Sequence, residues 1–406
     1  MTAVDPSIAP AAPAATTSSA GLKARAQLAA AVAAEHATAV DRESRFPAVT
    51  LQALKEQRLL SMLVPRELGG DGATVSDAVD ICYMLGMSCG SSAMIFAMHQ
   101  IQVVILLRHA KNSPWHQQLL RRLCNEQLLL ASSTTENQTG GVVRASSCAI
   151  ERDGTRMSLE KNGTVMSYGA EADGILLTAR RAPDAQPSDQ VLVAFVKGDY
   201  ELEKIKEWDT MGMRGTCSTG YTLRGKGSVD QVVPQSYERI HPQSMVPIAH
   251  LTWSSVWAGI AAGAVGKARR FVRKGAAQGN AQAAPGAGHL TRAMMSLRGL
   301  RASIASALAA YEAAAASPDS DDRLEAIDFQ TGMNLLKVHS SETAIATVLG
   351  ALQACGLSGY RNDGEFSIAR NLRDVLSSSI MINNERILAG AASSLLLFDV
   401  PQALRD

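Results

Sequence analysis

The sequence predicts an α+β protein in three consecutive parts: a helical domain, a β-domain and a second helical domain. Three observations carry this. Helical periodicity runs over 21–127, short strand-like runs separated by DG, NG and proline turns fill 128–239, and the helical period returns over 240–406. No internal repeat is visible, and 406 residues provide ample core for one integrated unit.

Residues 1–20 are rich in Ala, Pro, Ser and Thr, with no basic start and no continuous apolar stretch. They read as a disordered tail and fail as a signal peptide. Ala-rich helices with charged faces follow, then a helix over 46–60, until the glycines of 63–73 (LVPRELGGDGA) break the pattern. A buried helix capped by serine or threonine is expected over 76–90, and an almost wholly apolar one over 91–109. LLLASST, CAIER, TRMSLEK, GILLTAR and VLVAFVK predict strands, as does 221–223. Long Ala-, Leu- and Met-rich helices are expected at 249–278, 290–316, 322–355 and 377–398, with a loop at 278–287.

A net charge of +1 with 19% charged residues supplies no concentrated basic field, which argues against nucleic-acid and membrane-surface binding. No apolar run is expected to span a membrane. Six cysteines without a CxxC or zinc-type spacing predict buried thiols in a reducing cytoplasm and no metal site.

Residues 208–219 (WDTMGMRGTCST) set hydroxyls around Arg214, between two glycines suited to a turn. The segment resembles the end of the central β-domain of acyl-CoA dehydrogenases, where a "GxRGT/S-ST" run precedes "VP", here Val233-Pro234. Further stretches resemble that family in order. LVPRELGGDGA is similar to "VPEEYGGxG", ASSTTENQTGG (131–141) to "xxxTEPxAGSD", and SYGAEADGILLTAR to "TNGxxADxxLLxAR". IAAGAVGKA (260–268) is similar to "xAAGAVGxA", and LQACGLSGYRNDGEFSIARNLRD to "QxxGGxGYxxExxxxRxxRD".

The resemblance implies an acyl-CoA dehydrogenase-like fold that ends in a four-helix bundle, with FAD between the β-domain and that bundle. It implies a homodimer or homotetramer. Ser132, Thr134 and Thr135 match positions that hold the pyrimidine side of the flavin, and Ser167 stands where the family has a threonine near N5. Gln353 and the turn from Gly356 to Gly359 match the segment that approaches the ADP half, usually from a neighbouring subunit. Arg214 either reaches the ADP or anchors its own loop, and Glu136 orients backbone.

Dehydrogenation of an acyl thioester needs a carboxylate base for the α-proton while the β-hydrogen leaves as hydride to flavin N5. The family's usual glutamate position, in "YEGT", holds Ile382, and the alternative position ahead of "AAGAVG" holds Val256. Replacement candidates are His99, on the apolar helix, where a satisfied core histidine is the alternative, and Glu385, nearly one turn beyond Ile382, where a solvated surface glutamate is the alternative. The "RxxFG" loop is replaced by QGNAQAAPGAG, and the tryptophan that shields the flavin by Val165. The resemblance thus implies a flavin-dependent α,β-dehydrogenase of an acyl thioester on CoA or a carrier protein, passing electrons to an acceptor flavoprotein. The alternatives are a monooxygenase on the same fold, supplied with reduced flavin by a reductase, and a noncatalytic partner subunit.

Overall fold

The structure is a computed structural model that describes residues 19–136, 143–278, 286–397 and 399. Most of the expected 1–20 tail lies outside these residues; Ser19 and Ala20 open the first helix.

The N-terminal part holds α1 (Ser19–Arg42), α2 (Ala48–Glu56), α3 (Val75–Ser88), α4 (Gly90–His109) and α5 (Pro114–Glu126). The buried stripe of α1 is Leu22, Ala26, Ala29, Ala30, Ala33, Ala37 and Val40, and its small residues let α3 pack closely. A capping box between Thr74 and Asp77 starts α3. Nearly every residue of α4 is buried. That helix and the helical run 237–277 are long and apolar enough to cross a membrane, contrary to the expectation from sequence. Their apolar windows are 89% and 94% buried inside the protein, so both are core helices.

The middle part forms two sheets. β1 (Leu130–Ser133), β4 (Gly174–Arg180) and β5 (Gln190–Val196) make a three-stranded sheet with β1 parallel to β4 and β5 antiparallel to it. β2 (Glu151–Asp153), β3 (Arg156–Met166), β7 (Thr219–Ser228) and β6 (Tyr200–Lys206) form an antiparallel four-stranded sheet in that order. Both faces of β4 and β5 are covered, which explains their continuous apolar runs. β6 (YELEKIK) is an exposed edge strand that the apolar pattern did not announce.

After the short α6 (Tyr237–Ile240) comes α7 (Val246–Gln278), which packs with α8 (Ala287–Ala316) and α10 (Ile327–Cys355). The remaining helices are α9 (Ser320–Glu325), α11 (Leu357–Tyr360), α12 (Ala369–Leu376) and α13 (Asn384–Leu395), the last against α10. The expected 322–355 helix is broken at Ala326, whose ψ of 137° leaves the helical range. The expected 377–398 helix is also shorter, because its first residues make a tight turn and Ile382 adopts φ +50°.

The three parts are pinned at one turn. A side chain at Gly212 would run into the backbone of Arg373, so only glycine permits the approach. Met213 N–H donates to Asp374 Oδ1 at 2.7 Å, and Arg373 donates through Nε to Met211 O at 3.0 Å and through Nη2 to the Asp41 carboxylate on α1.

Candidate functional site

The ends of β1 and β3 meet the turn that precedes β7, and this junction gathers the expected hydroxyls. Ser132, Thr134 and Thr135 are all half-buried along and just past β1. Glu136 then bridges to Gly163 on β3. A register shift between Gly163 and Met166 bends β3 on its way to Ser167. Ser167 Oγ lies 2.8 Å from Ser218 Oγ, and Ser218 Oγ lies 2.7 Å from Thr216 Oγ1. Tyr168 ties the two sides together: its N–H donates to Thr216 O at 2.8 Å and its hydroxyl to Leu130 O at 2.9 Å.

Beneath the hydroxyls runs a buried ion pair. Lys161 Nζ donates to Glu136 Oε1 at 2.6 Å and to Thr178 O at 2.7 Å. Glu136 also accepts from the N–H groups of Ser147 and Cys148 and from the hydroxyls of Ser146 and Ser147. Burial alone would raise its carboxyl pKa, but the Lys161 ammonium and these hydrogen bonds outweigh that and hold it at about 2. The pair joins the end of β1 to β3, β4 and the 146–148 segment.

Ser133 Oγ is buried with no hydrogen-bond partner among the described residues, and a Cβ at Gly163 would stand 2.9 Å from it. The half-buried hydroxyls of Ser132 and Thr134, on the opposite side of the strand from Ser133, suit the carbonyls and ring nitrogens at the edge of a flavin. Residues 137–141 of the same motif lie outside the described residues.

The backbone at the family's usual base position, Ile382, is bonded to one buried side chain, Lys337 of α10. Its Nζ donates to Ile382 O at 2.6 Å and to Asn384 Oδ1 at 2.7 Å. It also lies 5.7 Å from the ring centroid of Trp257, the neighbour of Val256. Burial pulls the Lys337 pKa down to about 8, which leaves the ammonium mostly protonated at neutral pH. Nearby, His250 accepts no proton at neutral pH, because burial lowers it to about 3; its Nδ1 meets Met333 O at 3.0 Å.

The remaining candidates fall elsewhere. His99 is fully buried behind β1, with Nε2 2.8 Å from Leu60 O and Nδ1 accepting the Leu130 N–H at 3.0 Å. Burial lowers its pKa to about 4, so the ring is neutral and both nitrogens are engaged. This geometry favours the core-histidine alternative over proton transfer: the ring tethers α4 to β1. Glu385 is exposed in the first turn of α13, behind the Asn383 cap, and lacks the desolvation a base needs. Arg214 donates to Asp41 O at 2.8 Å and to Thr210 O at 3.0 Å, which favours the loop-anchor alternative. Gln353 is exposed near the C-terminal end of α10, Gly356 caps that helix at φ +54°, and Gly359 is buried in α11. This group sits together on the bundle, beside the exposed Leu357 and Tyr360.

Sequence reasoning passed over Lys161 and Lys337. Each had a signal: Lys161 is in phase with the buried Met157 and Leu159 of β3, and Lys337 lies one turn from the buried Met333 and Ser341.

A helical domain, a two-sheet β-domain and a helical bundle around a hydroxyl-lined junction are the architecture of the acyl-CoA dehydrogenase fold. The chain belongs to the acyl-CoA dehydrogenase family: residues 20–127 match its N-terminal domain and 248–389 its C-terminal domain. It is 24% identical over 382 residues to cyclohex-1-ene-1-carbonyl-CoA dehydrogenase of Geobacter metallireducens, covering 90% of this chain and 94% of that one. It is 26% identical over 251 residues to dibenzothiophene monooxygenase of Rhodococcus erythropolis, covering 58% and 59%. The chain spans 47% to 59% of the length of the first four curated relatives it matches. Its fold is also that of TdsC from Paenibacillus sp. A11-2, solved with FMN and indole: TM-score 0.80 and 15% identity, covering 95% of this chain and all of that one.

Proposed function

We propose that this flavoenzyme is a monooxygenase that takes up reduced flavin mononucleotide from a separate reductase and transfers one oxygen atom of dioxygen to a small substrate. One observation carries the reading. Where family dehydrogenases need a carboxylate, Ile382 and Val256 stand, and the ionisable group bonded to the Ile382 carbonyl is the Lys337 ammonium. An ammonium cannot take an α-proton until it has lost its own, and at neutral pH Lys337 keeps most of its protons. It can instead stabilise negative charge that develops nearby.

When bound, the reduced flavin would supply the two electrons by which the second oxygen atom leaves as water. The chain's own residues bind and exclude. Ser132, Thr134, Thr135 and Ser167 would hold the ring edge, Glu136 and Lys161 keep that edge in place, and Tyr168 closes the junction from behind. Gln353, Gly356 and Gly359 match a segment that meets the ADP half of FAD, which FMN lacks, so they take no part in the cofactor site of this reading. FMN is preferred to FAD because the loop that would meet a pyrophosphate lacks the family's arginine and phenylalanine. The relatives named dibenzothiophene monooxygenase and the FMN complex of TdsC support the same choice.

The nearly full-length match to an acyl-CoA dehydrogenase favours thioester dehydrogenation as the second reading. Anaerobic titration separates the two. Tighter binding of reduced than oxidised FMN, followed by incorporation of labelled dioxygen into product, is the expected result. Bleaching of the oxidised flavin band by an acyl-CoA would sink the oxygenase reading.

A further inference from the structure

A groove of about 750 Å³ opens beside the Gly212 turn, between the C-terminal end of α1 and the 362–373 segment. Its charged lining sets five cations, Arg42, Arg214, Lys267, Arg370 and Arg373, against Asp41, Asp363 and Glu365. All three carboxylates already have partners. Asp41 pairs with Arg373, Asp363 with Arg361 at 2.8 Å, and Glu365 with Lys274 at 3.2 Å. Arg361 and Lys274 stand outside the lining, so the acids they occupy do not neutralise the groove.

The excess charge is concentrated at Lys267 and Arg370. Among the described residues Lys267 Nζ donates to two neutral groups, Ser367 O and Asn371 Oδ1, each at 2.8 Å. Burial first, then the nearby Arg370 and Arg270, lower its pKa to about 8. Arg370 donates through Nη2 to Ser88 O at 3.1 Å, while its Nη1 is buried with no partner among the described residues. The nearby acid, Asp374, is pushed up to about 6 by burial yet stays mostly ionised at neutral pH; one carboxylate offsets part of the charge but does not balance Lys267, Arg370 and Arg42 together. Like charges held together beside an orphaned guanidinium nitrogen are costly unless an anion completes the set.

We propose that this groove binds a phosphate ester or diphosphate, gripped by Arg42, Lys267 and Arg370. A guanidinium fork with an adjacent ammonium offers several charged donors to the several oxygens of a phosphate. Two classes of molecule would bring that group here, the flavin through its own phosphate and a CoA- or nucleotide-linked substrate through its diphosphate.

The test is calorimetric titration of the flavin-free 406-residue chain with inorganic pyrophosphate at low ionic strength. Saturable one-to-one binding is expected. Arg42 is exposed, so Arg42→Glu should leave the fold intact, which circular dichroism checks, yet weaken binding about tenfold or more. Arg370→Gln should weaken it at least as much, and Arg152→Glu, exposed on β2, should not. Displacement of pyrophosphate by FMN would assign the groove to the flavin phosphate; displacement by CoA alone would assign it to the substrate. No binding by the parent protein, or equal loss in the Arg152→Glu variant, overturns the proposal. No turnover enters the readout, so either failure leaves the oxygenase reading to its own test.

Discussion

Lys161 and Glu136 meet across 2.6 Å with both side chains buried, 25 positions apart in the chain. Removing one member of such a pair leaves an uncompensated charge, so Lys161→Met should cost about 3–5 kcal/mol in urea denaturation. The Glu136 contribution also has a pH signature. Its folded pKa of about 2 lies below the ordinary 4.5, so the stabilisation is complete above 4.5 and is lost as pH falls toward 2. Glu136→Gln should flatten the stability curve in that window. An unchanged urea midpoint for Lys161→Met would show that the pair contributes nothing.

Buried histidines act at a higher pH. Burial lowers His99, His109, His116 and His241 to about 4 and His250 to about 3, all from an ordinary 6.5. Between about 4 and 6.5 the unfolded chain binds protons that the folded one refuses, so stability rises with pH there. Each ring contributes up to about 1.36 kcal/mol per pH unit of its shift. Melting temperatures should therefore drop steeply from neutral pH toward pH 4, and His116→Gln should make the drop shallower. A slope that His116→Gln leaves untouched would mean that this ring is protonated in the fold.

Ile382 is a β-branched residue at φ +50°, held there by the Lys337 bond to its carbonyl. A left-handed conformation costs an L-residue about 1–2 kcal/mol, and glycine avoids it. After allowing for glycine's greater freedom in the unfolded chain, Ile382→Gly should stabilise the protein by about 0.5–1 kcal/mol. Ile382→Val, which keeps the branch, should not. A lower melting temperature for the glycine variant would show that the isoleucine side chain contributes more packing than the backbone costs.

The three-part fold was legible because each part has its own period, and because strands such as β4 and β5 are apolar throughout. Lys161 shows why the site was less so. In sequence it is one of many charged residues on a strand with Glu160, and only its phase with Met157 and Leu159 marks it as inward-facing. Its partner, Glu136, lies past the end of β1, where local pattern does not reach. β6 was hidden for the opposite reason: an exposed edge strand rich in Glu and Lys alternates only at Tyr200 and Leu202, too briefly to stand out. His99 illustrates a third limit. An apolar helix announces that the ring is buried, but not that Leu60 and Leu130 occupy both nitrogens.

The Gly212 turn also bears on how the molecule is made. Its contact between Arg373 and Asp41 joins residues 332 positions apart, and Met213 waits on Asp374 across 161. As the chain leaves the ribosome, α1 and the two sheets emerge first and have no C-terminal partner for most of synthesis. The apolar flank of α4, destined for α7, is bare through much of the same interval. Nascent chains should therefore depend on chaperones until α12 has emerged, and mutations that slow closure at Gly212 should lower yield more than they lower the stability of the finished protein.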